Sequence, residues 1–488
     1  MSVRRAAAWS LASQYATFAI QFAAGVIIAR FFLPPAEVGL FSIALAAALV
    51  VAAFQDMGIT RFVSGQKDMR PESVGDYAFV AVLIGWAVAA IVAAVAAAIA
   101  RFYGEPRLTG LLLVIAASYL FAPYATVPAA MLVRAMNFRA LFAVNVGSTL
   151  LGYGVALVLA WNGFGAASLA WSVLVIAVTR TAISQAFHPL LPRLPKGIAP
   201  LRAMLSFGGA SFVITLSGAI GQRSQDLIVG RVLGLVATGL YSRSGALAGQ
   251  LSSLVSGAIS TVFYSAFARK RDAGEPLAQP YLHLIACNTA LNWAAMIGLA
   301  LAAEPLVLLL YGETWAAAAP LVRWMAICEM LLVAVPLQMD IPILLGRIRT
   351  LIWINLFDTA AAVTILAVAA TWGVEQAAMG RIAYGLIWWA IYATFQRRLL
   401  AFRMRDLFGI YLRSAICAAG AGLPLILALA ARDWSGADMG FIELLLLSGT
   451  GVLIWLAGLR LVGHPAWDEI MRAAGAVLPL PRRLQPAE

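Results

Sequence analysis

The chain is short of charge, lysine, histidine and cysteine, and each shortage closes off a class of function. Only 11% of its 488 residues are charged, against roughly 25% in soluble domains. With 62% hydrophobic residues and a mean hydropathy of +0.89, it reads as a polytopic helical membrane protein rather than a soluble enzyme. The three cysteines, Cys287, Cys328 and Cys417, lie singly in apolar stretches, so neither a disulfide framework nor a cysteine metal site is implied. The three histidines, His188, His283 and His464, have no carboxylate or cysteine at metal spacing. There is no Walker-type phosphate loop and no plausible Ser/His/Asp set. No catalytic residue, metal or cofactor is therefore expected, and energy for any cycle must come from outside the chain.

Apolar runs, each long enough to cross a hydrocarbon core of about 30 Å, fill the rest. They are read as fourteen spans, near 8–29, 38–59, 76–100, 109–133, 140–161, 165–187, 205–230, 238–267, 281–310, 316–343, 350–372, 377–395, 407–430 and 440–461. The formal charge of +12 follows this pattern. Arginine-rich segments such as Arg269–Arg271 and Arg397–Arg405 alternate with segments holding only Arg30, Arg101, Arg107, Arg223, Arg231, Arg381 and Arg432. That bias places both termini in the cytoplasm. The basic balance is topology and does not point to nucleic acid. Arg4 and Arg5 before an apolar run could suggest a signal peptide, but the first helix has a counterpart in mid-chain and is expected to belong to the fold.

That counterpart belongs to an internal repeat. Arg30, Gly39-Leu40-Phe41-Ser42, Tyr103-Gly104-Glu105, Pro128, Arg139 and Asn145 return as Arg231, Gly239-Leu240-Tyr241-Ser242, Tyr311-Gly312-Glu313, Pro336, Arg349 and Asn355. An even number of helices per copy makes this a parallel repeat, a hallmark of transporters. The expected organisation is a six-helix lobe over 1–200, a second over 201–400, an appended pair over 401–461 and a cytoplasmic tail over 462–488. Matched prolines at 128 and 336 predict matched kinks.

Polar side chains inside the spans need a reason. Ser10, Gln14, Thr17 and Gln21 share one face of the first helix. Ser211, Thr215, Gly218 and Gln222 repeat the pattern, and Arg243, Gln250, Ser253, Ser260 or Thr261 and Tyr264 form a further stripe. Such stripes either hydrogen-bond between helices or line a cleft. Arg223, Arg243 and Arg323 lie within spans, and Arg30 and Arg231 lie at matched span ends. Snorkelling or internal ion pairing would account for any one of them, with Asp226 placed to pair with Arg223. Together they would make a cationic cavity suited to phosphate. Asp226, Glu329 and Asp358 could couple transport to an ion or pair with nearby arginines; Asp56, Asp340 and Glu443 are further intramembrane carboxylates. Arg180 and Arg413 are expected to snorkel. The copies differ most where Arg243 faces Ile43 and Arg223 faces Phe22 in the alignment.

The stretches Gly25–Ser42 with Asp56-Met57-Gly58-Ile59, Asp226–Ser242 and Leu310–Ala326 resemble the signatures of Wzx-like oligosaccharide flippases of the multidrug/oligosaccharidyl-lipid/polysaccharide exporter superfamily. The resemblance covers nearly the whole chain. It implies a V-shaped bundle of two six-helix lobes plus two extra helices, in a bacterial inner membrane. It also implies a substrate of undecaprenyl-diphosphate-linked oligosaccharide, for O-antigen, capsule or exopolysaccharide synthesis. A polymerase and glycosyltransferases are its expected partners, along with membrane lipid. Arg223, Arg243, Arg323, Arg30 and Arg231 would then meet the diphosphate, and Gln14, Gln21, Gln222 and Gln250 the sugar. A lipid II flippase shares the fold and the arginines. Drug exporters for lipophilic cations need the opposite charge. A membrane polymerase or ligase would carry a large outer loop, which this sequence lacks, and a purely structural scaffold leaves the arginines unexplained.

Overall fold

In a computed structural model, residues 3–55, 71–190, 192–193 and 199–477 are described, and every regular element among them is helical. In the first half, α1 (Val3–Phe31), α2 (Pro35–Ala52), α3 (Pro71–Tyr103), α4 (Arg107–Arg134), α5 (Phe138–Trp161) and α6 (Ala166–Phe187) follow one another. Then α7 (Ala199–Asp272) runs through a non-helical Gly234 (φ 86°, ψ −177°), between the expected ends of spans 7 and 8. The second half holds α8 (Ala278–Leu301), α9 (Ala303–Tyr311), a 3-10 turn (Glu313–Ala318), α10 (Ala319–Leu332) and α11 (Asp340–Leu344). It ends with α12 (Ile348–Ala370), α13 (Val374–Leu400), α14 (Met404–Ala430), α15 (Phe441–Leu461) and α16 (Pro465–Val477).

Eleven of the helices in the described residues are long and apolar enough to cross a membrane. The expected spans 7, 8 and 12 fall in α7 and α13, which carry internal charges and stand outside that set. The fold is thus an all-helical, multi-pass membrane fold. Its contacts define two compact units, one of Met1–Ser242 with Asn355–Val363 and one of Arg243–Ile354 with Thr364–Glu488.

The first unit shows why the repeated Gly-Leu-Phe/Tyr-Ser is there. A methyl group added to Gly39 would collide with the Leu235 carbonyl, and one added to Gly239 with the Pro35 carbonyl. The two glycines let α2 and α7 touch backbone to backbone, the arrangement small residues permit in membranes. One turn further, the Ser42 hydroxyl donates to Ser242 Oγ at 3.0 Å. Ile43, the counterpart of Arg243, packs on Gly230 and is wholly buried. Beside this crossing, Leu40, Ala44, Ala47 and Ala48 of α2 join a core with Val88 and Val92 of α3 and Leu112 and Ile115 of α4. In the first turn of α2, the Glu37 carboxylate pairs with Arg107 at 2.7 Å and accepts from the Ala166 N–H at 2.7 Å. It thereby caps the α6 N-terminus.

The prolines behave differently in the two halves. Pro123 and Pro128 lie inside α4, which stays one helix. Pro128 removes the bond to the Tyr124 carbonyl four residues back, and Gln185 Nε2 of α6 donates to that oxygen instead at 3.0 Å. Thr181 donates to the Phe121 carbonyl at 2.8 Å. In the second unit the expected span 316–343 is not continuous. Its helix α10 stops at Leu332, turns occupy the stretch through Met339, and Leu337 takes a left-handed φ of 53°.

A bare carbonyl in hydrocarbon costs several kcal/mol, and this break is sealed by side chains from other helices. Asn288 donates to the Val333 carbonyl at 2.7 Å, Trp293 to Met330 at 2.8 Å and Tyr281 to Pro336 at 3.1 Å. Tyr411 of α14 donates to Ala334 at 2.8 Å. The expected matched kinks are therefore an intact helix in one copy and a sealed interruption in the other.

Candidate functional site

Each unit carries its own set of intramembrane polar groups. In the first unit, the α1 stripe divides by role. Ser13 is buried and accepts from Asn145 Nδ2 at 3.3 Å, and Arg180 Nη2 donates to Asn145 Oδ1 at 3.1 Å. This part of α1 holds helices together, and it engages Arg180 in a defined contact rather than leaving it to snorkel. Gln14 is exposed, Gln21 is half-buried, and the Thr17 hydroxyl is buried without a hydrogen-bond partner. The side chains of Ser211, Ser260, Thr261 and Tyr264 lie outside the described residues, as does Asp56 with the rest of 56–70.

The matched arginines of this unit rest on aromatic rings. Arg231 lies 4.9 Å from the Phe102 ring centre and Arg30 lies 5.8 Å from that of Phe31. Such cation–π contacts favour a guanidinium without neutralising it. The Tyr103 hydroxyl donates to the Leu227 carbonyl at 2.9 Å and sits in the field of both Arg231 and Asp226. Tyr119 of α4 lies in the field of Arg223. Gln222 is exposed, and Asp358 is buried at 8%. The neighbouring Thr359 donates to the Ser217 carbonyl of α7 at 3.1 Å.

In the second unit, Arg243 lies nine residues beyond Gly234, about 14 Å along the helix. Its guanidinium carbon is 4.7 Å from the Tyr311 ring centre, and its Nε is buried without a hydrogen-bond partner. None of the ion pairs among the described residues includes it. Glu329, by contrast, faces Arg381 at 3.8 Å with the Ser252 hydroxyl in reach. Gly245 leaves room for the Arg381 guanidinium. Gln250 is half-buried, and its backbone carbonyl takes the Ser253 hydroxyl at 2.9 Å. Arg323 points away on an exposed face of α10.

The structure thus joins Arg243 with Tyr311, Arg231 with Phe102, and Glu329 with Arg381. It leaves Arg323 apart from the contacts that hold Arg243 and Glu329. Sequence reasoning missed Tyr311, Arg381, Asn145 and Tyr119 as partners. The repeated Tyr-Gly-Glu already singled out Tyr311, whose following Gly312 takes φ 81° to end α9.

Aromatic-backed arginines thus lie on long helices in both compact units of a multi-pass membrane fold. Among solved structures the chain is similar to the lipid II flippase MurJ in an inward closed conformation, with a TM-score of 0.75 at 13% identity, over 92% of this chain and 97% of that one. It is also similar to an inward-facing multidrug resistance MATE family transporter of the MOP superfamily, with a TM-score of 0.56 at 14% identity, over 81% and 94%. At these identities the likeness is one of fold.

Residues 27–320 match the family of polysaccharide biosynthesis proteins, and the chain belongs to that family. One relative is the succinoglycan biosynthesis transport protein ExoT of Rhizobium meliloti (strain 1021), 28% identical over 80% of this chain and 77% of that protein. Another is the lipopolysaccharide biosynthesis protein WzxC of Escherichia coli (strain K12), 20% identical over 60% of each.

Proposed function

We propose that this protein moves a lipid-linked oligosaccharide, joined to undecaprenyl through a diphosphate, from the inner to the outer leaflet of a bacterial inner membrane. It would do so by alternating access, for polysaccharide synthesis, with both termini in the cytoplasm and without enzymatic chemistry of its own. The observation that carries the reading is Arg243. A guanidinium well inside a helix, held against Tyr311 with its Nε unsatisfied, is costly in a membrane unless it serves an anion. Its planar fork suits a diphosphate. Arg223 and Arg231 add positive charge on the first unit, and Gln14, Gln21, Gln222 and Gln250 offer amide groups to sugar hydroxyls. Arg30 and Arg323 fit the same role at longer range. Asp226, Glu329 and Asp358 are the carboxylates available for ion coupling, and Glu329 would have to leave Arg381 to take part. The names of ExoT and WzxC favour a polysaccharide unit over lipid II, and a polymerase and glycosyltransferases would act on either side of the step.

The test is replacement of Arg243 or Arg223 by alanine in a producing strain. Exported polysaccharide should fall at least tenfold, the effect of losing about 1.4 kcal/mol of substrate interaction, while lipid-linked units accumulate on the inner leaflet. Arg243→Lys should restore export only in part, because an ammonium lacks the bidentate fork. Normal export by both alanine variants at normal abundance would end the cationic-site reading. Arrested peptidoglycan synthesis with intact polysaccharide export would shift the substrate to lipid II.

A further inference from the structure

Arg413 and Arg405 are absorbed by nothing so far described. Both are on α14, eight residues apart, with Gly409 midway between them. That i, i+4, i+8 spacing places the three along one side of the helix. A methyl group at Gly409 would touch nothing within 4 Å, so the glycine opens a hollow between the two arginines. The hollow is part of a cavity of about 460 Å³, lined also by Gln279 and His283 of α8, Asp406 of α14, and His464 with Pro465 at the start of α16.

The far wall of this cavity is firmly built. The Ala466 N–H donates to His464 Nδ1 at 3.2 Å, so the neutral ring carries its proton on Nε2 and donates it to Ser414 Oγ at 3.1 Å. Ser414 in turn donates to Thr289 Oγ1 at 2.9 Å, and Thr289 donates to the Ile285 carbonyl at 2.7 Å. Every proton in that chain has one place to go. His464 is 1% exposed, and burial, with the Arg413 charge beside it, pulls its pKa down to about 4, keeping it neutral. Glu469 is engaged with His283 at 2.9 Å and Arg472 at 2.9 Å. Neither Arg405 nor Arg413 belongs to an ion pair among the described residues. With Asp406 as the single carboxylate on the lining, the cavity keeps a positive balance.

The cavity lies at the start of α8 and α14 and just past the end of α15, where these apolar spans end and lipid headgroups would meet water. We propose that it binds a phosphate group, carried by an anionic lipid headgroup or present as free phosphate, through Arg405 and Arg413. A guanidinium pair with a vacant glycine face between them accepts a tetrahedral oxyanion, and Gln279 can donate to it. This site is separate from Arg243 and does not depend on the transport reading.

The test reconstitutes the full chain in nanodiscs of phosphatidylcholine alone, or of phosphatidylcholine and phosphatidylglycerol in equal parts, and measures thermal unfolding and lipid retention by native mass spectrometry. A parallel arm adds inorganic phosphate to the phosphatidylcholine discs. Arg405→Gln and Arg413→Gln should each weaken retention roughly fivefold. Arg413→Lys should lose less, and Arg398→Gln, outside the cavity lining, should match the native chain. A response to phosphatidylglycerol alone assigns a lipid headgroup, and a response to inorganic phosphate alone assigns a soluble phosphate. No response in either arm, or an equal response from the Arg405→Gln and Arg413→Gln variants, overturns the proposal.

Discussion

The region of Pro128 in α4 and the region of Pro336 after α10 descend from the same repeated position, yet one is an unbroken helix and the other is not. The difference lies in the neighbours. Around α4 the freed Tyr124 carbonyl meets one donor, Gln185, and the helix continues. Around Pro336 four donors from α8 and α14 converge on carbonyls at 330, 333, 334 and 336, so leaving the helix becomes affordable. Proline only removes a bond. Whether the helix then bends or breaks is decided by side chains far away in sequence.

Three pairs of substitutions sharpen this contrast between copies. The largest effect is expected where the copies must agree. Gly39→Ala and Gly239→Ala each drive a methyl into a backbone carbonyl of the opposing helix, at a cost of about 3 kcal/mol or a failure to accumulate. Thermal unfolding in detergent measures it, and a native-like midpoint for either variant would show the crossing to be looser than described. Next come the donors that differ. Asn288→Ala strips a buried carbonyl of its partner, and Gln185→Ala does the same in the first copy; about 1–3 kcal/mol is at stake in each. The Asn288 loss should be the greater, since its side chain also accepts from Asn292, and the reverse order would break the comparison.

The smallest effect concerns the helix cap that follows each proline. Met136 (φ 54°) and Gly346 (φ 72°) hold equivalent left-handed positions, and the next N–H returns to Leu132 or Pro342 in both. Met136→Gly should stabilise the chain by about 1 kcal/mol, and Gly346→Ala should destabilise it by a similar amount. Opposite shifts in unfolding temperature are the expected result.

Much of this architecture was legible in the sequence because hydropathy and repetition are local signals. The apolar runs gave most of the helices, and the repeated Gly-Leu-Phe/Tyr-Ser and Tyr-Gly-Glu marked positions that turn out to be a helix crossing and a helix end. What they were for was not legible. Nothing near Gly239 says that the Pro35 carbonyl lies against it, about two hundred residues away. The span expected over 316–343 is apolar enough on average to read as one helix despite Arg323, Glu329 and Asp340, so its interruption waits on Asn288, Trp293 and Tyr411. Arg243 was singled out by charge alone; its ring partner Tyr311 is 68 residues on. Expected snorkelling by Arg180 gave way to Asn145 for the same reason, because a long-range polar partner leaves no trace in a hydropathy pattern.

At the α2–α7 crossing, Gly39 meets the carbonyl at 235 and Gly239 meets the carbonyl at 35, a reciprocal pair of contacts. That is the geometry of a self-complementary interface between two identical subunits. The first unit therefore contains, folded into one polypeptide, the seam of a homodimer. Each copy of the motif is its own best partner, and a change in either one is felt by both.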